Sequence, residues 1–204
     1  MTPKPPSSLS ATLPDAGQCL DEGLAASGAG DSRRATELFS QAQTLAPGWH
    51  LPAFLLGSEY AALGDFERAE ALFAQTVLLA PDFHIARYQL GLLQFSSGRT
   101  QLAMLTWAPL ASPSEEEPYA HLVQGFGALA LGDLGAARHY LEAGLPLAGS
   151  NQGLVDDIRR VLAALEEQAN SVNCEVPARS SADKSDDANQ NHVLLSNYSQ
   201  GTVH

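Results

Sequence analysis

The sequence predicts an all-α protein: a row of four stacked helical hairpins closed by one further helix. Three observations predict it. Glycine recurs every thirty-four residues at Gly23, Gly57, Gly91 and Gly125, and again at Gly30, Gly64, Gly98 and Gly132. Alanine keeps the same period at Ala35, Ala69, Ala103 and Ala137. Each window divides at its second glycine into two segments whose apolar residues are spaced for a helix. Self-similarity at such a period marks units that cannot bury their apolar faces alone and do so by stacking.

Taken in order, residues 1–15 are rich in Pro, Ser and Thr and are expected to form a disordered lead-in. The repeats follow as windows 16–49, 50–83, 84–117 and 118–151. In the second window Ala53, Leu56, Gly57 and Tyr60 share a face of the first helix, and Ala69, Leu72, Phe73 and Thr76 a face of the second. Gly64 suits a left-handed helix stop, and Asp31, Asp65 and Asp133 are placed to cap the helix that comes next. Pro47 and Pro81 fall just past the second helices, where a helix cannot easily continue. The joint Ala80-Pro81-Asp82-Phe83-His84 therefore connects two copies of one unit. Pro109 is expected to end the third second-helix early, before an acidic loop through Glu115, Glu116 and Glu117 to Pro118. Residues 152–170 read as a capping helix, with Leu154, Val155, Ile158, Val161, Leu162 and Leu165 in one apolar stripe. A stacked array needs such a terminal element with one polar face. From Ser171 to His204 the composition turns to Ser, Asn, Asp and Gln and predicts a disordered tail, interrupted by the apolar patch Val193 to Tyr198.

Composition narrows the function. The 204 residues suit one domain with tails, and the formal net charge is −12. Lys4 and Lys184 are the only lysines, both outside the repeats. Such an acidic surface repels phosphate backbones, so no nucleic-acid partner is expected. Cys19 and Cys174 are far apart and suggest neither a disulfide framework nor a metal knuckle. The N-terminus has Lys4 and three early prolines but no apolar run, and no stretch is apolar enough for a membrane helix. The expected setting is cytoplasmic. No catalytic residues, metal ligands or cofactor are expected. There is no phosphate-binding glycine loop, and no base stands beside Cys19, which reads as a packing residue. His50 and His84 open equivalent helices and read as joint residues packed near Trp49 and Phe83.

These residues resemble the tetratricopeptide repeat (TPR), a thirty-four-residue helical hairpin with Leu-Gly, Tyr, Ala, Phe, Ala and Pro at set offsets. The second window matches through Leu56, Gly57, Tyr60, Ala69, Phe73 and Pro81. The first supplies Gly23, Ala35, Phe39, Ala42 and Pro47. The third keeps Leu90, Gly91 and Ala103, with Trp107 in the large aromatic slot, and the fourth keeps Gly125 and Ala137, with Leu141 there. Arg87, Gln94, His121 and Ala128 depart from the pattern, standing where large packing aromatics are expected. The resemblance covers residues 16–151 and implies an α-solenoid with a right-handed superhelical turn.

It also implies a site. In similar proteins, offsets two, five, nine and twelve of the first helices line a concave groove that takes peptide segments or helices. Here those offsets, with the first window added, give Leu20, Leu24, Leu51, Phe54, Ile85, Tyr88, Leu92, Phe95, Tyr119, Leu122, Phe126 and Leu129. Family members that bind chaperone C-termini clamp a carboxylate with Lys, Asn and Arg, and the absence of lysine from these repeats argues against that clamp. An apolar groove instead suits an apolar peptide or amphipathic helix of a partner protein. The expected function is non-enzymatic protein–protein binding by burial along Tyr88, Leu92, Phe95, Phe126 and Leu129. Two other roles fit the same scaffold: a holding chaperone for hydrophobic clients, similar to those of bacterial secretion systems, and a non-catalytic subunit of an enzyme complex. Some of these aromatics, above all at offsets five and nine, also fit an inter-repeat core. The 193–198 patch, the lead-in or a second copy could equally fill the groove.

Overall fold

The repeated glycine and the residue after it set the corners of the array. The computed structural model describes residues 15–111, 118–149 and 151–174. They form the hairpins α1 (Ala16–Gly28) with α2 (Ser32–Leu45), α3 (His50–Ala62) with α4 (Phe66–Leu79), α5 (His84–Ser96) with α6 (Thr100–Trp107), and α7 (Pro118–Ala130) with α8 (Leu134–Leu147), followed by α9 (Gln152–Cys174). No strand occurs among the described residues. Gly30, Gly64, Gly98 and Gly132 have φ between 75° and 79°, the left-handed region open to glycine. At each corner the next amide reaches back across the turn, as Asp31 N–H does to the Ala26 carbonyl at 2.9 Å and Asp65 N–H to Tyr60 at 2.8 Å. Asp31, Asp65 and Asp133 then accept from the amides of Arg34, Arg68 and Ala136 at 3.0, 3.3 and 2.9 Å, as expected of capping aspartates.

The third corner holds Arg99 where the others hold aspartate, and α6 has no side-chain cap. It is also the shortest helix, eight residues passing into a 3₁₀ turn over Ala108–Leu110 at Pro109. Arg87 fills the place where a packing aromatic is expected and uses it differently. Its guanidinium donates to the Pro81 carbonyl at 3.2 Å and to the Thr106 carbonyl at 3.5 Å, near the C-terminal end of α6. A helix end leaves carbonyls without an internal partner, and a cation there meets the negative end of the dipole.

Within each hairpin one contact is repeated. A Cβ built on Gly23, Gly57, Gly91 or Gly125 would run into Phe39, Phe73, Trp107 or Leu141 respectively. Glycine lets the first helix lie directly on the large side chain of the second, and Ala35, Ala69, Ala103 and Ala137, all fully buried, close the same seam. Polar pairs tie hairpin to hairpin. Ser27 donates to the buried Glu59 carboxylate between α1 and α3, and Gln43 on α2 donates to Gln75 on α4 at 2.9 Å.

The core is uneven. Leu20, Ala35, Phe39 and Leu56 make a small cluster in the first hairpins, and Ala61, Ala69, Phe73, Leu90 and Leu93 a second. The largest runs from α5 to α9 and includes Trp107, Leu122, Phe126, Leu141 and Ile158. Helix α5 is buried nearly all round, sending Leu90 and Leu93 back towards Phe73 and Tyr88, Leu92 and Phe95 forward towards α7. Helix α9 lays Leu154, Val155, Ile158, Val161 and Leu165 on that core and exposes Asp156, Arg159, Glu166 and Glu167. It continues to Cys174, past the change of composition at Ser171, because neither glycine nor proline intervenes between Gly153 and Pro177. The lead-in up to Pro14, the acidic loop 112–117 and the tail from Glu175, with its 193–198 patch, lie outside the described residues. No helix among the described residues is long and apolar enough to cross a membrane.

Candidate protein-binding face

The expected groove divides into two sets. Leu20, Tyr88, Leu92, Phe95, Leu122 and Phe126 are buried in the core. Leu51, Phe54, Ile85, Tyr119 and Leu129 are half-buried, and Leu24 is exposed. The first set therefore corrects the expectation that Tyr88, Leu92, Phe95 and Phe126 present themselves to a partner. Their rings are engaged with one another. Phe95 lies 5.9 Å from Trp107 and 5.2 Å from Phe126, and Trp107 lies 5.2 Å from Phe126. Tyr88 stacks on Trp107 at 6.2 Å, and the indole N–H donates to the Tyr88 carbonyl at 3.0 Å.

The cause is visible in the departures from the repeat pattern. Arg87 and Gln94 cannot supply apolar packing on the expected side of α5. Gln94 is buried and accepts from the Thr106 hydroxyl at 2.6 Å. The large side chains one step round the helix supply the packing in their place. The same exchange on α7 leaves half-buried His121 and small Ala128 on the expected side and puts Leu122 and Phe126 in the core. The sequence carried this signal in the four substitutions themselves.

What stays open is a row at one offset. Leu51, Ile85 and Tyr119 stand thirty-four residues apart, each near the start of a first helix and each half-buried. Phe54 joins them, its ring 5.0 Å from Phe83 and 5.7 Å from Phe73. The joint histidines belong to the same edge. His50 lies 4.9 Å from Phe83, and His84 lies 6.2 Å from Tyr119. Each histidine thus rests on an aromatic ring. Among the described residues no group of His, Cys, Asp and Glu side chains could hold a metal ion. Cys19 is fully buried and its thiol is pushed up by that burial, which suits a packing residue and not a nucleophile. The row has no charged member, so the contacts it can make are apolar and aromatic.

A sequence model of the tetratricopeptide repeat matches residues 54–112. No curated protein matches the chain. Among solved structures, MamA 41-end from Desulfovibrio magneticus RS-1 is 15% identical over 80% of this chain and 97% of its own, with a TM-score of 0.56. A double mutant of MamA RS-1 is 13% identical over 91% of this chain and 94% of its own, also at 0.56. MamA AMB-1 is 20% identical over 90% and 98%, at 0.52. At these identities the likeness is one of fold.

Proposed function

The chain is a tetratricopeptide-repeat protein, an interaction scaffold by its fold, and from that premise we propose that it binds an apolar segment of a partner protein along Leu51, Phe54, Ile85 and Tyr119. Leu24 and Leu129 extend the same face at its two ends. One observation carries the reading: the offset-two side chain stays half-buried in three consecutive repeats, whereas Tyr88, Leu92, Phe95, Leu122 and Phe126 are absorbed into the core. A ligand that crosses the repeats meets one apolar side chain per hairpin, the way an extended peptide or an amphipathic helix is read. Burial of each contact gains roughly 25 cal/mol per Å² before association costs, so a few such anchors suffice for a reversible complex. The protein contributes no chemistry in this reading, which is of a non-enzymatic binder in a cytoplasmic setting.

Affinity capture tests it. The intact chain is compared with a Leu51→Glu, Ile85→Glu double variant whose helicity and melting temperature are first shown to match the parent. The variant is expected to lose proteins that the parent retains. A folded variant that retains every one of them contradicts the reading. The substitutions Phe95→Glu and Phe126→Glu are unsuited to this purpose, because both rings are core and their loss unfolds the array.

A further inference from the structure

Glu59 is the only buried charged side chain among the described residues, with 8% of its surface exposed. It receives one hydrogen bond among them, from the Ser27 hydroxyl on α1, and no ion pair. The arginines of the first two hairpins are engaged elsewhere, Arg33 and Arg34 with Glu37 and Arg68 with Asp65. Burial of an ionised carboxylate is costly unless a cation compensates it, and one hydroxyl does so only in part. Ser27 and Glu59 also lie in the last turns of α1 and α3, so the negative ends of two helix dipoles add to the carboxylate charge. The place between these helices is built for a positive group that the chain does not supply.

Its position joins it to the partner row. Leu51, Leu55 and Glu59 are spaced four residues apart and lie in one line along α3. From Leu51 to Glu59 is about two turns, roughly 12 Å. Leu51 and Leu55 are half-buried on the first-hairpin cluster together with Ala26. The end of α1 that carries Ser27 is small and open: Ala25 and Gly28 are exposed, and a Cβ on Gly28 would meet nothing within 4 Å. We propose that Glu59 is a cation subsite of the binding face and takes a lysine or arginine side chain of the partner segment whose apolar side chain rests on Leu51. This rests on the reading of the row as a partner site and narrows the partner to an apolar segment with a basic residue. Charge complementarity selects it, because the chain is acidic at −12, the row itself is uncharged, and the buried carboxylate lacks a counter-ion. The alkyl stem of such a residue can lie along Leu55 while its head reaches Glu59.

Selection of random twelve-residue peptides displayed on phage, against the intact folded chain, tests the proposal. Peptides that the Leu51→Glu, Ile85→Glu variant no longer captures are synthesised, and their affinities are measured by calorimetry for the parent and for Glu59→Gln. The glutamine amide keeps an oxygen to accept from Ser27 and removes only the charge, so the melting temperature is expected to hold. The peptides are expected to be enriched in lysine or arginine and to bind Glu59→Gln about 30-fold more weakly or worse, the effect of breaking a buried charge pair. Replacing their basic residue with norleucine is expected to cost as much, and both changes together little more than either alone, as for groups in contact. Row-dependent peptides without a basic residue, or with equal affinity for Glu59→Gln, overturn the cation subsite and leave the row standing. So do losses that simply add, since the basic residue then pairs elsewhere. If no row-dependent peptide emerges, the row and the subsite are both overturned.

Discussion

A methyl group added at Gly91 would enter the indole of Trp107, a fully buried side chain whose N–H is already committed to the Tyr88 carbonyl at 3.0 Å. The ring has neither space nor freedom to yield. At Gly57 the same addition would come within 3.0 Å of Phe73, tight but closer to what a small ring shift relieves. At Gly28 it would meet nothing within 4 Å. Gly91→Ala is therefore expected to destabilise the protein by about 2 kcal/mol or more. Gly57→Ala is expected to cost less, and Gly28→Ala to be neutral or stabilising by up to ~1 kcal/mol, as the chain loses less entropy on folding. Urea unfolding of the three variants checks the order. Gly57 and Gly91 were legible in the sequence because the period isolates them, and so was the partner of each, Phe73 and Trp107, sixteen residues on. What Phe95 and Phe126 do was less legible. An aromatic at a groove offset and an aromatic in an inter-repeat core read alike until the neighbouring Gln94 and Ala128 are seen to leave packing space unfilled.

At the scale of single helices, α5 and α9 decide how the array holds together. Helix α5 serves two clusters with opposite faces, which a repeat pattern that assigns one face to packing does not anticipate. Helix α9 was legible from its apolar stripe, but its buried acid was not. Asp157 lies largely buried with Arg160 at 2.8 Å, and burial raises its carboxyl to about 6, the nearby Asp156 adding to the rise and Arg160 opposing it. In the unfolded chain the same group titrates near the ordinary value of about 4. The native state thus holds this proton more tightly. Asp157 contributes stability that is present below about pH 4 and lost as pH rises through about 6. Asp157→Asn is expected to stabilise the protein at pH 7 by about 1–2 kcal/mol and to leave little difference from the parent at pH 4. Thermal melts of both proteins across that range check the sign, and a difference that grows towards low pH contradicts it.

For the whole molecule, the fold followed from the period, and the division of its surface did not. The repeat places first helices on one side and second helices on the other, but which side chains remain at the surface depends on how the hairpins share a core. The regular first half has small clusters, and the irregular second half has the large one, because the residues that break the pattern there bring Trp107, Phe126 and the α9 stripe together. Apolar side chains remain at the surface after that packing, half-buried in the inner row at Leu51, Ile85 and Tyr119 and exposed at Leu78 on α4 and Leu105 on α6. The central claim is that the inner row receives a different protein. Site-specific photo-cross-linking tests it most directly, with a photoreactive phenylalanine analogue placed at Ile85 of the intact, folded chain in its native extract. A discrete adduct with another protein is expected at Ile85. An Ile85 probe that cross-links nothing, or only further copies of this chain, would contradict it.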